Sequence, residues 1–146
     1  LLADPVALRE VVDALVDLAR AVGPIDAVLG IEARGFIFAP SIALGLGAGF
    51  VPIRKSGKLP SSSHTTSYDL EYGSAELEMH RDALEPGDRV LVVDDVLATG
   101  GTMLAAADLV RQARAEVAGN LVLIELLDLG GAARLQPVGC SALRTY

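Results

Sequence analysis

Apolar residues recur along the chain with two spacings that alternate from segment to segment. From Leu8 to Val22 they recur every three or four residues, which predicts a helix with Asp4 as its N-cap and Pro5 in its first turn. The next apolar stretch, residues 27–31, is short and unbroken, as expected of a buried strand. The two patterns then repeat, and they predict helices over residues 35–46, 101–115 and 132–135 and strands over residues 50–53, 90–93 and 121–126.

The middle of the chain interrupts this alternation. Residues 56–67 contain almost no apolar side chains, which predicts a mobile loop. Residues 68–72 and 75–79 alternate in polarity on either side of a Gly-Ser pair, which predicts a hairpin. The repeated strand–helix–strand order implies parallel strands with crossover helices. We therefore expect one α/β domain over residues 1–146: an open, mainly parallel twisted sheet flanked by helices, with a flexible loop and hairpin inserted at residues 56–80.

Composition narrows the partners and the compartment. The chain has 146 residues, 51% of them hydrophobic, which suits one ordinary core and leaves no room for a second. Twelve Lys and Arg against nineteen Asp and Glu give a net charge of −7, which argues against nucleic-acid binding. No apolar run approaches the ~20 residues that span a bilayer. The single cysteine, Cys140, cannot form an intrachain disulfide, which suits a reducing compartment, so we expect a cytoplasmic protein. From the charge and the apolar runs, we expect neither nucleic-acid nor membrane partners.

The residues that carry chemistry concentrate where the predicted strand 90–93 ends. That strand runs into Asp94 and Asp95, and a turn from Thr99 to Thr102 opens the next predicted helix. In open parallel sheets, ligands bind at the carboxyl ends of the strands. The free N–H groups of a helix N-terminus favour a phosphate, and glycines let the backbone approach it closely. The two acids would repel a phosphate unless they bind something else, for which sugar hydroxyls are the natural partners.

This segment resembles the phosphoribosyl-pyrophosphate-binding motif of the type I phosphoribosyltransferase family. Residues 30–38, 53–60, 68–73 and 82–87 are similar to the adenine phosphoribosyltransferases in particular. The resemblance implies a purine salvage transferase that forms AMP and pyrophosphate from adenine and 5-phosphoribosyl 1-pyrophosphate (PRPP). It also implies Mg²⁺, bound mainly through substrate and water, and a homodimer. The family has a further N-terminal segment, a hood over the base, and this sequence begins after it, so we expect a base pocket open on one side.

The resemblance also assigns a role to each matching residue. It makes Glu71 the acid over the base and Arg34 a donor to the pyrophosphate, which are the two catalytic roles. It implies a cis peptide bond between Glu32 and Ala33. The implied substrate-binding residues are Asp94 and Asp95 for the ribose hydroxyls, Ala98, Thr99, Gly100, Gly101 and Thr102 for the 5′-phosphate, Glu32 and Ala33 for the pyrophosphate loop, Lys55 and Lys58 near the pyrophosphate, Arg54 near the neighbouring active site of a dimer, and Tyr72 in the flexible segment over the reacting centre.

Two other functions stay open at this point. A regulator that kept the fold could bind PRPP as a signal without catalysis, although the charge of −7 counts against a nucleic-acid contact. A transferase of the same family could use another purine, such as xanthine or hypoxanthine. Metal chemistry at His64, His80 and Cys140 is disfavoured because their spacing fits no metal site.

Overall fold

The computed structural model describes residues 1–60, 62–69 and 74–146. Within these residues the helices are α1 (Pro5–Arg20), α2 (Gly35–Leu46), α3 (Gly101–Gln112) and α4 (Gly131–Arg134), with a 3-10 turn at Leu127–Leu129. The strands are β1 (Ala27–Ile31), β2 (Gly49–Lys55), β3 (Ser63–Asp69), β4 (Ser74–His80), β5 (Arg89–Leu97), β6 (Glu116–Glu125) and β7 (Ser141–Thr145).

The described strands form one open sheet in the order β3-β4-β2-β1-β5-β6-β7. Five of these strands, in the order β2-β1-β5-β6-β7, pair in parallel. The hairpin of β3 and β4 is antiparallel and joins the sheet through β2, where Arg54 pairs with Glu78. The predicted fold class is confirmed: an open, mainly parallel sheet flanked by helices, with an inserted hairpin.

Helix α1 begins as its sequence predicts. Oδ1 of Asp4 accepts hydrogen bonds from the amides of Val6 and Ala7, at 2.9 and 3.1 Å, and Pro5 follows the cap. These two bonds satisfy amides that have no partner inside a helix, and they lower the pKa of Asp4. Asp4 therefore fixes where the chain enters the fold.

Alternate residues of the central strands belong to two separate cores. The core beneath α3 includes Leu29, Ile31, Val90 and Val92 from the sheet and Ala106 and Leu109 from the helix. The core beneath α1 and α2 includes Val28, Leu91 and Val93 from the sheet and Leu15, Phe38 and Ile42 from the helices. A strand buried on both faces is continuously apolar, which explains why β1 shows no polar alternation.

The prediction of a mobile loop over residues 56–67 is wrong for its second half. Strand β3 begins at Ser63, five residues before the first hairpin strand predicted at residues 68–72, of which 70–72 lie outside the described residues. It pairs along its length with β4, from Ser63 opposite His80 to Asp69 opposite Ser74. Backbone hydrogen bonds to β4 hold this strand, and they need no apolar side chains. Gln112 of α3 also donates from Nε2 to the carbonyl oxygen of Thr65 at 3.0 Å, which ties the strand to a helix.

Two further differences concern the carboxyl-terminal half. Strand β5 continues to Leu97, so Asp94 and Asp95 lie inside the strand and not in a loop after it. Its neighbour β6 runs alongside, with Asp94 opposite Val122 and Leu97 opposite Glu125. Strand β7 was not predicted, because Ser141–Thr145 is too polar to read as a strand until β6 provides a partner.

The close packing of α2 on the sheet predicts a difference between two glycines. A Cβ at Gly30 would lie 2.8 Å from Cβ of Ala39 and 2.9 Å from Cε2 of Phe50. We expect Gly30→Ala to lower the free energy of unfolding by about 1–3 kcal/mol through overpacking. Gly49→Ala is the matched control, because its Cβ would meet only Asp26 O at 3.6 Å. Chemical denaturation should show Gly49→Ala unchanged or slightly stabilised; equal losses in both variants would contradict this account.

Candidate active site

The order in which strands are added to the sheet reverses between two neighbouring strands, β1 and β5, at the middle of the sheet. From β1 it passes through α2 to β2 on one side, and from β5 it passes through α3 to β6 on the other. Because β1 and β5 are parallel, the segments that follow them emerge at the same edge of the sheet. A switch of this kind opens a crevice in which ligands bind. Here the crevice lies between residues 32–34 and residues 94–102, and this is where most of the predicted site residues meet.

A close backbone contact joins the two sides of the crevice. A Cβ at Gly35, the first residue of α2, would lie 2.8 Å from the carbonyl oxygen of Val93, so only glycine allows this approach. Beside it, Nε of Arg34 forms an ion pair with Oδ2 of Asp95 across the crevice. The Arg34 side chain is 71% exposed and that of Asp95 only 16%. The guanidinium is therefore open to a ligand while a carboxylate holds it in place.

The segment after β1 has the backbone geometry that the resemblance implies. The peptide bond between Glu32 and Ala33 is cis, so that prediction is confirmed. The amide of Glu32 donates to Ile53 O at 2.9 Å, which anchors the segment to β2.

The turn from Ala98 to Thr102 forms a helix N-terminus without a side-chain cap. Gly100 has φ of 83°, in the left-handed region that favours glycine, and α3 begins at the next residue. The first amide that bonds back to Gly100 O is that of Leu104, at 3.0 Å. The three preceding amides therefore have no partner within the helix. They face a small pocket lined by Asp94 and residues 96–103, where free N–H donors and the positive helix end suit a phosphate.

Helix α4 supports this turn from behind, which the sequence reasoning missed. A Cβ at Gly131 would collide with the carbonyl oxygen of Ala98, so the two backbones are in close contact. Nη1 of Arg134 donates to the carbonyl oxygen of Thr99 at 2.7 Å. These contacts fix the turn and place a positive charge near it. Nothing in the short run Gly-Ala-Ala-Arg indicates which distant turn it contacts.

Asp94 and Asp95 lie where the pairing of β1 with β5 ends. The last residues paired are Gly30 and Val93, directly before the acids. Burial raises the pKa of Asp94 to about 7; the Asp95 amide, which donates to its Oδ1 at 2.8 Å, opposes the rise, and the charge of Asp95 adds to it. Asp94 therefore gains or loses its proton near neutral pH.

Glu32 contacts basic residues from the end of β2 and from the turn that follows it. Its Oε1 forms an ion pair with Nζ of Lys58, and its Oε2 accepts the amide of Lys55 at 2.8 Å and lies 3.5 Å from Nε of Arg54. Burial alone would raise the pKa of Glu32, but these bonds and charges outweigh it and hold the pKa below its usual value. Three predicted site residues, Glu32, Arg54 and Lys58, thus form one cluster, and the backbone amide of Lys55 also binds to it.

Two of the predicted site residues, Glu71 and Tyr72, lie outside the described residues. Within the described part of the chain, no group of three or more His, Cys, Asp or Glu side chains could hold a metal ion by itself. No described helix is both long and apolar enough to cross a membrane.

The raised pKa of Asp94 predicts a pH-dependent effect on stability. Because the folded chain keeps this proton up to about pH 7 and the unfolded chain loses it near 3.8, Asp94 destabilises the fold progressively as pH rises between these values. We expect Asp94→Asn to raise Tm by a few degrees at pH 8 and to leave it unchanged near pH 4, measured by calorimetry. Asp13→Asn, on the exposed face of α1, is the control. A gain of Tm that is the same at both pH values would contradict this origin.

Comparisons with known proteins agree with this arrangement. A family model described as the phosphoribosyl transferase domain matches residues 1–138. The chain is 57% identical over 145 residues to the adenine phosphoribosyltransferase of Thermobifida fusca (strain YX), covering 99% of this chain and 82% of that protein. It is 52% identical over 142 residues to the enzyme of the same name from Escherichia coli O157:H7, covering 97% and 77%.

Solved structures show the same likeness in three dimensions. The crystal structure of adenine phosphoribosyltransferase from Rhodothermus marinus DSM 4252 superposes with a TM-score of 0.93 at 48% identity, over 99% of this chain and 82% of that one. The enzyme of that name from Saccharomyces cerevisiae, complexed with an imino-altritol bisphosphate and adenine, gives a TM-score of 0.91 at 38% identity, over 97% and 82%. With the crevice, the uncapped helix and the sequence likeness all in agreement, the chain belongs to the adenine phosphoribosyltransferase family.

Proposed function

We propose that the chain transfers the phosphoribosyl group of PRPP to adenine, forming AMP and releasing pyrophosphate. One observation carries the proposal: the crevice has an uncapped helix N-terminus on one side, the cation cluster around Glu32 on the other, and Asp94 and Asp95 between them. This order matches the 5′-phosphate, the ribose hydroxyls and the pyrophosphate of PRPP. The names of the relatives in Thermobifida fusca and Escherichia coli support adenine as the base.

In this reaction N9 of adenine forms a bond to C1′ as the bond from C1′ to the pyrophosphate oxygen breaks. Negative charge builds up on the departing pyrophosphate, so cations placed there lower the barrier. Arg34 and Lys58 are the donors on that side, and each is paired with a carboxylate, Asp95 or Glu32. We propose that pyrophosphate oxygens replace those carboxylates when PRPP binds. Asp95, released from Arg34, then accepts a hydrogen bond from the ribose.

The base gives its N9 proton to water as the bond to C1′ forms, and an acid that donates a hydrogen bond to N7 stabilises the negative charge this leaves on the ring. The resemblance to the family assigns this role to Glu71 and assigns Tyr72 to the same segment over the reacting centre. An acid that shares a proton with N7 contributes about 10²–10⁴-fold to the rate.

Magnesium fits the donors at this crevice. No group of three or more acidic, His or Cys side chains in the described residues could hold the ion alone, so Mg²⁺ would be bound mainly through substrate oxygens and water, beside the carboxylates of Asp94 and Asp95. When bound, Mg²⁺ neutralises charge on the pyrophosphate.

We also propose a homodimer and a cytoplasmic location. The Arg54 side chain is about one third exposed while its Nε lies beside Glu32, so the exposed part of the guanidinium is free to reach a neighbouring chain. Ile37 and Leu44, two turns apart on α2, expose apolar surface that a second copy would cover. A single cysteine suits a reducing compartment.

The function is tested by measuring pyrophosphate release from PRPP with each of three bases. We expect turnover with adenine and at least tenfold lower kcat/KM with hypoxanthine and xanthine. Preference for hypoxanthine or xanthine would identify the transferase for another purine. PRPP binding without release of pyrophosphate for any base would instead identify a PRPP-sensing regulator.

The phosphate turn makes a prediction about Gly100. A Cβ there would force a strained φ of 83° on a side chain and lie 3.1 Å from Gly131 O, which displaces the turn. We expect Gly100→Ala to weaken both PRPP and AMP binding at least tenfold by calorimetry. Gly87→Ala is the matched control, because it has φ of 92° and no atom within 4 Å of its Cβ. Both variants bear a backbone cost of about 1–2 kcal/mol, and only Gly100→Ala should lose affinity; equal affinities would refute the assignment.

A further inference from the structure

A buried carboxylate lies behind the cation cluster, outside the crevice itself. Glu78 is only 5% exposed and is the one acidic residue in the buried set of the described chain. It lies on β4, opposite Arg54 of β2 on one side and Thr65 of β3 on the other. Burying an ionised carboxylate is costly unless hydrogen bonds replace its water. Its partners therefore show what the charge holds.

The partners of Glu78 are the backbone amides of the turn that follows β2. Oε1 accepts the amide of Lys58 at 2.8 Å and that of Leu59 at 2.7 Å, and Oε2 lies 3.4 Å from Oγ of Ser63. Burial would raise the pKa of Glu78, but the amides of Leu59, Lys58 and Gly57 outweigh it and hold the pKa below its usual value. Glu78 is thus a charged acceptor that gathers consecutive amides of one turn.

Lys58 is held at both of its ends. Its amide donates to Glu78, and its ammonium forms the ion pair with Glu32 beside the segment that leads to Arg34. A lysine side chain has many rotamers, so where its ammonium can reach depends on where its backbone is fixed. Glu78 fixes that backbone.

We infer that Glu78 is a positioning residue for the pyrophosphate end of the site, which acts by holding the turn at residues 57–59 so that the Lys58 ammonium reaches the Glu32 segment. This inference rests on the proposed function. Glu78 does not touch substrate, and it acts only where Lys58 acts. Its loss should therefore weaken a ligand that carries a pyrophosphate and spare one that does not.

PRPP and AMP provide that contrast, because both carry the 5′-phosphate and ribose and only PRPP carries the pyrophosphate. We expect Glu78→Ala to weaken binding of Mg²⁺-PRPP at least tenfold by calorimetry, and that of AMP less than twofold. Glu78→Gln keeps an acceptor oxygen for the two amides and should recover PRPP affinity to within about threefold of wild type. Glu76→Ala, two residues earlier on β4 and exposed, is the matched control and should bind both ligands as wild type does.

A coupling test shows whether the effect passes through Lys58. We expect Lys58→Ala to weaken PRPP binding by a similar factor, and the double variant with Glu78→Ala to be no more than twofold weaker than Lys58→Ala alone. If Glu78→Ala does not fold, Glu78→Asp keeps the charge one methylene too short, and it should show the same selective loss.

The outcomes separate the two hypotheses. If wild type binds neither PRPP nor AMP, the proposed function fails. If wild type binds both, three results overturn the positioning role alone: PRPP affinity that stays within twofold in Glu78→Ala or Glu78→Asp, equal losses for PRPP and AMP, or independent effects of Glu78 and Lys58.

Discussion

The contact between the first turn of α2 and the end of β5 sets the geometry of the crevice. Gly35 brings the α2 backbone against Val93 O, where a Cβ would lie at 2.8 Å, and so places Arg34 beside Asp95. Gly30 allows the middle of the same helix to approach β1 closely. Because interiors are close-packed, a larger residue at either position would displace the helix as a whole. The distance across the crevice, which any bound ligand must match, therefore depends on glycine at both positions, Gly30 and Gly35.

The cations of the crevice are already paired with carboxylates of the protein itself. Clustered cations repel one another, yet Arg54 and Lys58 converge on Glu32, and Arg34 lies on Asp95. Each carboxylate occupies the place that a phosphate oxygen would take in the proposed reaction. A ligand must therefore exchange one ion pair for another, which limits how tightly the pyrophosphate is held. In the proposed reaction, the same carboxylates pair with the cations again after the pyrophosphate leaves.

The sequence predicts the parts of this molecule that local patterns determine. The bounds of β1 and α2 agree with the predicted ranges, because an unbroken apolar run and a helical repeat each report burial directly. The first part of strand β3, residues 63–67, could not be predicted from its own polar residues, since β4 supplies the hydrogen bonds that form it. Asp94 was predicted to follow a strand and lies within one, because β6 extends the pairing beyond the apolar residues.

The same distinction holds for the site. The residues after β1 were identified from the family resemblance, whereas the turn after β5 could be identified from sequence, because a glycine-containing turn between strand and helix has few physical uses. Arg134 and Glu78 could not, because each acts on the backbone of a segment far away in the chain, at Thr99 and Lys58. Only the folded arrangement shows which turn a given side chain reaches. Residues that touch a ligand thus leave a local pattern, and residues that hold those residues in place do not.

The two ends of the crevice offer an anion different kinds of donor, and the difference suits the proposed reaction. The α3 end offers fixed backbone donors, held by Gly131 and Arg134, and its turn contains no charged side chain. The Glu32 end offers side chains whose charges are already shared with carboxylates. A 5′-phosphate is present in both substrate and product, so rigid donors that need no reorganisation suit it. A pyrophosphate must be bound, stabilised as it departs and then released. This sequence of events suits cations that can pair again with protein carboxylates once the pyrophosphate has left.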